Sequence, residues 1–504
     1  MIIPFVLIFI SLLEGTYARS FVTVSTTSGS LQGVKQDGGR FAQPPIGLLR
    51  WAPPLPFFSN TTQNATAVGP ACVQQFAFAT ASLIEPLFNN PLNPPAEDED
   101  CLFLNVWAPT RSSDASSKPV VFWIYGGSLA FGTGSLPEYD GTSIASNQGI
   151  VVVSFNYRTN VFGFPGAPEL LIQENNLGFL DQELALEWVR LNIRQFGGDP
   201  EKITIMGQSA GGFSVSGLVV RHPIDPPFRA AISFSGASPD NTPSLTPFDS
   251  FNNFSTTVGC TEAPGPARLA CLRTVSAVDI RAYTNGPLSG SFEPLIDNIT
   301  TFADNLERIR SGNAARVPLL AGSMQDDGTL FTVGETNLTA FLISEAVTLI
   351  SAEANETSVI ADSFRDLSFL CPTSLWTQAF VQSGISHVYR YDYGAVFSDF
   401  QAFPNAGAWH STELPEFFGT FNASTATPDQ VTLSKTFQTA IANFIKNPNR
   451  SPAPNWPEYV PGNNTQTLAR LAYNNNVEIG NFVQAVTSDS QDAPCAVWNT
   501  FLDF

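Results

Sequence analysis

Three kinds of residue in this chain could together cleave an acyl bond: a serine set among glycines, three histidines, and a pair of aspartates on a turn. The stretch Met206-Gly207-Gln208-Ser209-Ala210-Gly211-Gly212 closes the apolar run Ile203-Thr204-Ile205-Met206 with a Gly-x-Ser-x-Gly turn. Such a turn suits a nucleophile elbow. A strand ends, glycines on both sides of the serine remove the Cβ clashes that would forbid a sharp reversal, and a helix begins with its amides facing the serine oxygen. A serine hydroxyl is a poor nucleophile at neutral pH, so an imidazole must take its proton and a carboxylate must hold that imidazole in the right tautomer. His222, between Arg221 and Pro223, fits a helix end and a surface or capping role. His387 opens the β-like run His387-Val388-Tyr389-Arg390-Tyr391-Asp392, where an alternating strand position accounts for it. His410 lies in Gly407-Ala408-Trp409-His410-Ser411, a loop after that strand, where an open α/β sheet presents functional groups. For the carboxylate, Val317 to Gly322 reads as a buried strand followed by Asp326-Asp327-Gly328. One of those two aspartates is well placed, although the tripeptide alone is an ordinary acidic turn.

The elements that must position these groups are short apolar or β-rich runs: Val120 to Tyr125, Ile150 to Phe155, Ile203 to Met206, Ala230 to Phe234, Pro318 to Ala321 and His387 to Tyr391. Helical stretches separate them, which is the rhythm of a largely parallel sheet covered on both faces, an α/β fold class. Trp188, Val189, Asn192 and Ile193 have helical spacing, and their apolar members read as core. Motifs from Glu99 to His410 belong to one site, so residues 19–504 read as a single large domain.

Lys and Arg number 24 against 44 Asp and Glu, a net charge of -20 that repels nucleic acid and anionic membrane. The acidic balance indicates a solvated surface and no substrate preference. Ile2 to Leu13 is an apolar run too short for a membrane span, and Thr16-Tyr17-Ala18 offers small residues for cleavage, so residues 1–18 are expected to be a signal peptide and the protein to be secreted. No comparable run precedes Phe504, so no membrane anchor is expected. Nine Asn-x-Ser/Thr sites, from Asn60 to Asn463, fit a glycosylating pathway. Six cysteines in an exported chain with three histidines favour disulfides over a metal site, with fifteen possible pairings. Neither a metal nor a cofactor is expected.

Several motifs in order resemble the type-B carboxylesterase and lipase family, which includes cholinesterases and secreted yeast lipases. Asn156-Tyr157-Arg158, Asp181-Gln182, Ala185-Leu186, Trp188-Val189, Asn192-Ile193 and Phe196-Gly197-Gly198-Asp199-Pro200 stand in family spacing ahead of the elbow. Glu99-Asp100-Cys101-Leu102-Phe103-Leu104-Asn105-Val106 is similar to a second signature, and Trp123-Ile124-Tyr125-Gly126-Gly127-Ser128 to the oxyanion-hole strand end. Gly322 to Phe331 and Gly407 to Pro415 resemble the segments carrying the acid and the histidine. The resemblance implies an α/β-hydrolase fold, with Ser209 as nucleophile, His410 as general base and then acid, and Asp327 as the acid. The order Ser209, Asp327, His410 is that of the α/β-hydrolase arrangement. It further implies oxyanion donors at the amides of Gly127, Ser128 and Ala210, and a supporting Ser235 near the acid, whose plainer reading is a turn residue. Implied disulfides are Cys72 with Cys101, Cys260 with Cys271, and Cys371 with Cys495. Arg50 with Glu99, and Arg158 with Asp181, match structural ion pairs.

The chain departs from its relatives in ways that bear on substrate. Asp327 stands where most carry glutamate, one methylene longer. Ser128 replaces a third glycine and narrows the space beside the scissile carbonyl, which disfavours esters of tertiary alcohols. Gly33 to Ala42 is several residues short of the family's strand and turn, which means either a trimmed edge or a piece of the sequence lost at an exon boundary. Gln208 replaces the glutamate that commonly precedes the nucleophile. The Cys72 to Cys101 loop holds Phe76, Phe78, Leu83, Ile84, Leu87 and Phe88 but no tryptophan, which disfavours quaternary ammonium recognition. These apolar side chains suit packing on the body or a mobile lid. The leading expectation is a carboxylic ester hydrolase working through an acyl-Ser209 intermediate on a small-molecule or lipid ester. The alternatives are a triacylglycerol lipase or sterol esterase with a Cys72–Cys101 lid and, from another class, a non-catalytic cholinesterase-like adhesion protein. Adhesion proteins of that kind typically lack triad residues, which this chain keeps.

Overall fold

Apolar runs of five to seven residues, rich in Val, Ile and Phe, can be buried on both sides only inside a sheet whose two faces are covered. The computed structural model describes residues 22–33, 36–40, 42–43, 49–109, 117–337, 357–462, 464–477 and 482–502. The proposed signal peptide, Asn355 and Asn463 lie outside the described residues. Within them runs a ten-stranded sheet: β1 (Gln36–Arg40), β2 (Phe103–Trp107), β3 (Lys118–Ile124), β4 (Val151–Phe155), β5 (Gly198–Gln208), β6 (Ala230–Phe234), β7 (Leu319–Met324), β8 (Val388–Tyr393), β9 (Gln466–Leu471) and β10 (Val483–Thr487). Their spatial order is β1-β2-β4-β3-β5-β6-β7-β8-β9-β10. Pairings from β4 through β9 are parallel, and the outer strands join antiparallel.

The interior strands are buried along their length: every residue of β4, β6, β7 and β8 is buried. Val151, Val152, Val153 and Phe155 have no exposed surface at all, each side chain contributing about 2 kcal/mol by burial. The sequence runs locate these strands to within a few residues. β2, β9 and β10 carry weaker alternation and emerge only in the fold. The short Gly33 to Ala42 stretch still supplies an edge strand, since β1 pairs with β2 from Gln36 opposite Trp107 to Arg40 opposite Phe103.

Helices pack around the sheet, among them α1 (Ala81–Phe88), α2 (Leu177–Asn192), α3 (Ala210–Arg221), α4 (Thr357–Arg365), α5 (Cys371–Gln382), α6 (Glu413–Phe418), α7 (Pro428–Lys446) and α8 (Cys495–Leu502). α7 starts where Thr427 accepts a hydrogen bond from the Gln430 amide and Pro428 takes the first helical turn, both standard helix-start chemistry. α2 buries Leu186, Trp188 and Val189, and donates from Trp188 to Ser28 and from Asn192 to Thr27, tying down the N-terminal hairpin at 2.9 Å each. Disulfides join Cys72 to Cys101, Cys260 to Cys271 and Cys371 to Cys495. No described helix is long and apolar enough to cross a membrane.

Candidate active site

Five neighbouring parallel strands, β3, β5, β6, β7 and β8, end on one side of the sheet, where an open α/β fold gathers functional groups. Ser209 occupies the junction of β5 and α3 with φ 56° and ψ −125°, a conformation L-residues rarely adopt and which the surrounding structure must enforce. The enforcement is steric. A Cβ on Gly207 would lie 2.3 Å from the Gly211 backbone, so β5 and α3 approach that closely because residue 207 has no side chain, and a Cβ on Gly211 would in turn strike the Ile124 backbone at the end of β3. Across the turn, a Cβ on Gly126 would lie 2.9 Å from the Ser209 side chain. Ser209 is half-buried, within reach of solvent.

The loop after β3 turns back through three consecutive left-handed residues, Gly127 (φ 104°), Ser128 (φ 56°) and Leu129 (φ 56°). Among the described residues, the backbone amides of Gly127, Ser128 and Ala210 meet no acceptor. Ala210 begins α3, where the first amides have no intrahelical partner. Ser128 is exposed at the rim.

His410 is buried, and its Nδ1 lies 2.8 Å from Asp327 Oδ1. Asp327 is wholly buried, and its other oxygen accepts from Ser235 Oγ at 2.8 Å and from the Met324 amide at 2.7 Å. The carboxylate is therefore held by three groups and cannot swing. The adjacent Asp326 does a different job. Its Oδ2 accepts from the Ala408 amide at 2.8 Å, pinning the backbone of the histidine loop, and burial pushes its carboxyl above the ordinary value. The two aspartates thus divide backbone and ring between them. Gln208 also reaches the imidazole, its Nε2 standing 3.0 Å from His410 Nε2. The other histidines lie elsewhere. His222 caps α3 and meets Glu183 at 3.0 Å, and His387 immediately precedes β8 and pairs with Glu458 at 2.5 Å.

Sequence reasoning missed several groups around the imidazole. Phe369 packs on the ring at 4.6 Å between centroids and Phe331 meets it edge-on at 5.1 Å. Phe369 rides on Asp366–Leu370, a wide π-type turn between α4 and α5, and such turns cluster at functional sites. No local pattern marks it. Cys371, two residues on, is joined to Cys495 at the start of α8. Glu413, three residues after His410, is fully buried, and among the described residues neither carboxylate oxygen meets a hydrogen-bonding partner. Burial, together with the negative charge of Asp327, holds its carboxyl well above the ordinary range.

The Cys72–Cys101 loop lies against the same region. Leu83, Ile84, Leu87 and Phe88 of α1 pack on Leu330, Ala406 and Trp409, the last adjacent to His410. Phe88 also approaches Phe131, whose ring stacks on Phe76 at 4.8 Å. One aromatic side chain of the loop thus touches both the glycine-rich turn and the histidine loop. The base of the loop is clamped by Arg50, which grips Glu99 bidentately at 2.6 and 2.7 Å and donates to the carbonyls of Leu272 and Val275. Arg158 holds Asp181 in the same manner at 2.7 and 2.8 Å. Among the described residues no cluster of His, Cys, Asp and Glu is placed to hold a metal ion.

A sheet of this order with a strained serine at the end of a central strand defines a hydrolase scaffold. The family model of the Carboxylesterase family matches residues 21–346 and 343–498, so the chain belongs to that family and is a carboxylic ester hydrolase. It is 34% identical over 449 residues to a chlorogenic acid esterase of Aspergillus niger, covering 85% of this chain and 83% of that one. It is 30% identical over 502 residues to secreted lipase 1 of Botryotinia fuckeliana, covering 84% of each. Among solved structures, a PNB esterase superposes with a TM-score of 0.73 at 29% identity over 89% of this chain and 95% of that one.

Proposed function

We propose that the protein is a secreted esterase that hydrolyses small carboxylic esters through an acyl-Ser209 intermediate, with His410 as general base and acid and Asp327 as its carboxylate partner. The observation that carries this reading is the 2.8 Å contact between His410 Nδ1 and Asp327 Oδ1, on a ring that Gln208, the neighbour in sequence of a serine held at φ 56°, meets at 3.0 Å. Asp327 fixes the ring and stabilises the imidazolium that forms when Ser209 gives up its proton. The ester carbonyl becomes a tetrahedral oxyanion, and the amides of Gly127, Ser128 and Ala210 are its donors. Collapse expels the alcohol, protonated by His410. Water, deprotonated by the same imidazole, then releases the acid. Ser235 and the Met324 amide hold Asp327 still.

Export is supported by the three disulfides. It is also supported by the sequon asparagines within the described residues, Asn60, Asn64, Asn253, Asn298, Asn337, Asn422 and Asn449, all of them exposed. Ser209→Ala is expected to abolish hydrolysis of a soluble nitrophenyl ester while leaving the circular dichroism spectrum and Tm in place, and undiminished turnover would overturn the assignment. A second reading, a lipase, is favoured by the apolar face of α1 lying closed on Trp409 and Leu330. A rate that jumps when a triglyceride passes its solubility limit would select it, and a rate that saturates below that limit would select the esterase.

A further inference from the structure

The imidazole nitrogen that must receive the Ser209 proton already has a neighbour. Gln208 Nε2 lies 3.0 Å from His410 Nε2, and both side chains are buried. The amide's other end is confined as well: a Cβ on Gly126 would fall 2.8 Å from Gln208 Oε1, so the glutamine fits because residue 126 has no side chain. An amide nitrogen only donates. A ring nitrogen facing it accepts only in the tautomer whose proton sits on Nδ1, and Asp327 Oδ1 stands 2.8 Å from Nδ1 to take that proton. We propose that Gln208 is a positioning residue that presets His410 in the Nδ1-protonated tautomer, occupying the Nε2 lone pair until substrate and Ser209 claim it. This rests on the reading of His410 as the general base.

Among the described residues, Gln208 is the hydrogen-bonding neighbour of this buried ring nitrogen, and a buried acceptor without a partner destabilises the fold. The contact also favours one charge state. Once Nε2 carries the serine proton, two N–H groups face each other and the amide must turn away, so Gln208 supports the neutral base and offers the imidazolium no charge. The remaining groups about the ring do not replace it. Phe331 and Phe369 face it with hydrocarbon. Ser235 and the Met324 amide spend their hydrogen bonds on Asp327. Burial raises the Glu413 carboxyl and the Tyr391 phenol, both near Asp327, well above their ordinary values. The carboxyls of Asp392 and Asp326 stand further along the strand ends, close enough to feel Asp327, with Arg365 beyond them. Among the described residues, imidazolium charge is thus balanced at contact by Asp327 alone. A glutamate at position 208 would add a second carboxylate at the opposite nitrogen.

Three histidines in the chain make the ring nitrogens directly readable. In full-length protein labelled with 15N-histidine, the His410 ring at pH 8 should show a protonated Nδ1 and an unprotonated Nε2 shifted upfield by a hydrogen bond. In Gln208→Met, of similar length but without a donor, that Nε2 signal should move downfield. In Gln208→Glu the acid limb of the kcat/KM profile for a soluble ester should rise by about one pH unit. A protonated Nε2 in the unsubstituted protein, an Nε2 signal unmoved by Gln208→Met, or an acid limb unmoved by Gln208→Glu would each overturn the inference. The first needs no variant to fold. The ring spectra do not depend on turnover, so failure of the Ser209 assignment and failure of the Gln208 contact would be told apart.

Discussion

The two halves of the site are built by different means. On the serine side, Ser209, Gly126, Gly127 and Ser128 are held by main-chain conformation: left-handed torsions and close approaches that tolerate no Cβ. On the histidine side, His410, Asp327, Asp326 and Phe369 are held by side chains, through hydrogen bonds of 2.7–2.8 Å and ring packing at 4.6 Å. Backbone sterics have no titratable part and no conservative substitute. A side-chain network is adjustable, and it carries buried acids. A side chain added at the glycines of the serine side should therefore fail as structure, and the histidine side should fail as chemistry or shift with pH.

The largest effect expected is from Gly207→Ala, whose Cβ would meet the Gly211 backbone at 2.3 Å. Turnover and Tm should fall together, with a stability loss of about 3 kcal/mol or more, measured by thermal denaturation alongside nitrophenyl ester hydrolysis. An active variant of normal Tm would break the comparison. Asp327→Asn should do the reverse, lowering kcat roughly 10⁴-fold while the fold persists, because the amide favours the wrong tautomer. If Tm collapses with activity, the histidine side is structural too. Ser128→Gly is expected to raise the tert-butyl to n-butyl acetate rate ratio by about tenfold. An unchanged ratio would mean that this side chain does not limit the alcohol.

The smallest effect concerns pH. Burial raises the Glu416 carboxyl to about 8 and Asp392 to about 7. Folded Glu416 keeps its proton between the ordinary glutamate range and pH 8 while the unfolded chain has lost it, so the folded state binds more protons and stability falls as pH rises. Stability linked to these groups is fully present below pH 4 and lost towards pH 8. Tm should drop by several degrees from pH 5 to pH 8, and Glu416→Gln should flatten that slope. A Tm that rises across the interval would show that these acids ionise on the folded protein.

Much of the serine side is legible locally. The glycines around Ser209 and the apolar run before it are adjacent in sequence, and the sterics they answer to are short-ranged. The strand ends that carry the site were also legible, since five of the six apolar runs that mark strands lead into β3, β5, β6, β7 and β8. Less of the histidine side could be read. Asp326 and Asp327 look alike in a turn, and Phe369 is one phenylalanine among 41. The apolar residues of the Cys72–Cys101 loop suit either a packed or a mobile lid, and only the fold sets α1 on Trp409.

By itself, then, the sequence determined a parallel α/β sheet, a strained serine turn and the short list of acids and bases within reach. The tertiary structure decided the partners: which aspartate takes the imidazole and which pins its loop, what packs on the ring, and that Gln208 meets its free nitrogen. His410 stands 83 residues from Asp327 and 202 from Gln208. Torsional preference and Cβ clashes act between neighbours and are written in neighbouring letters. Hydrogen bonds across such separations exist only after the burial of the sheet has closed the loops between them.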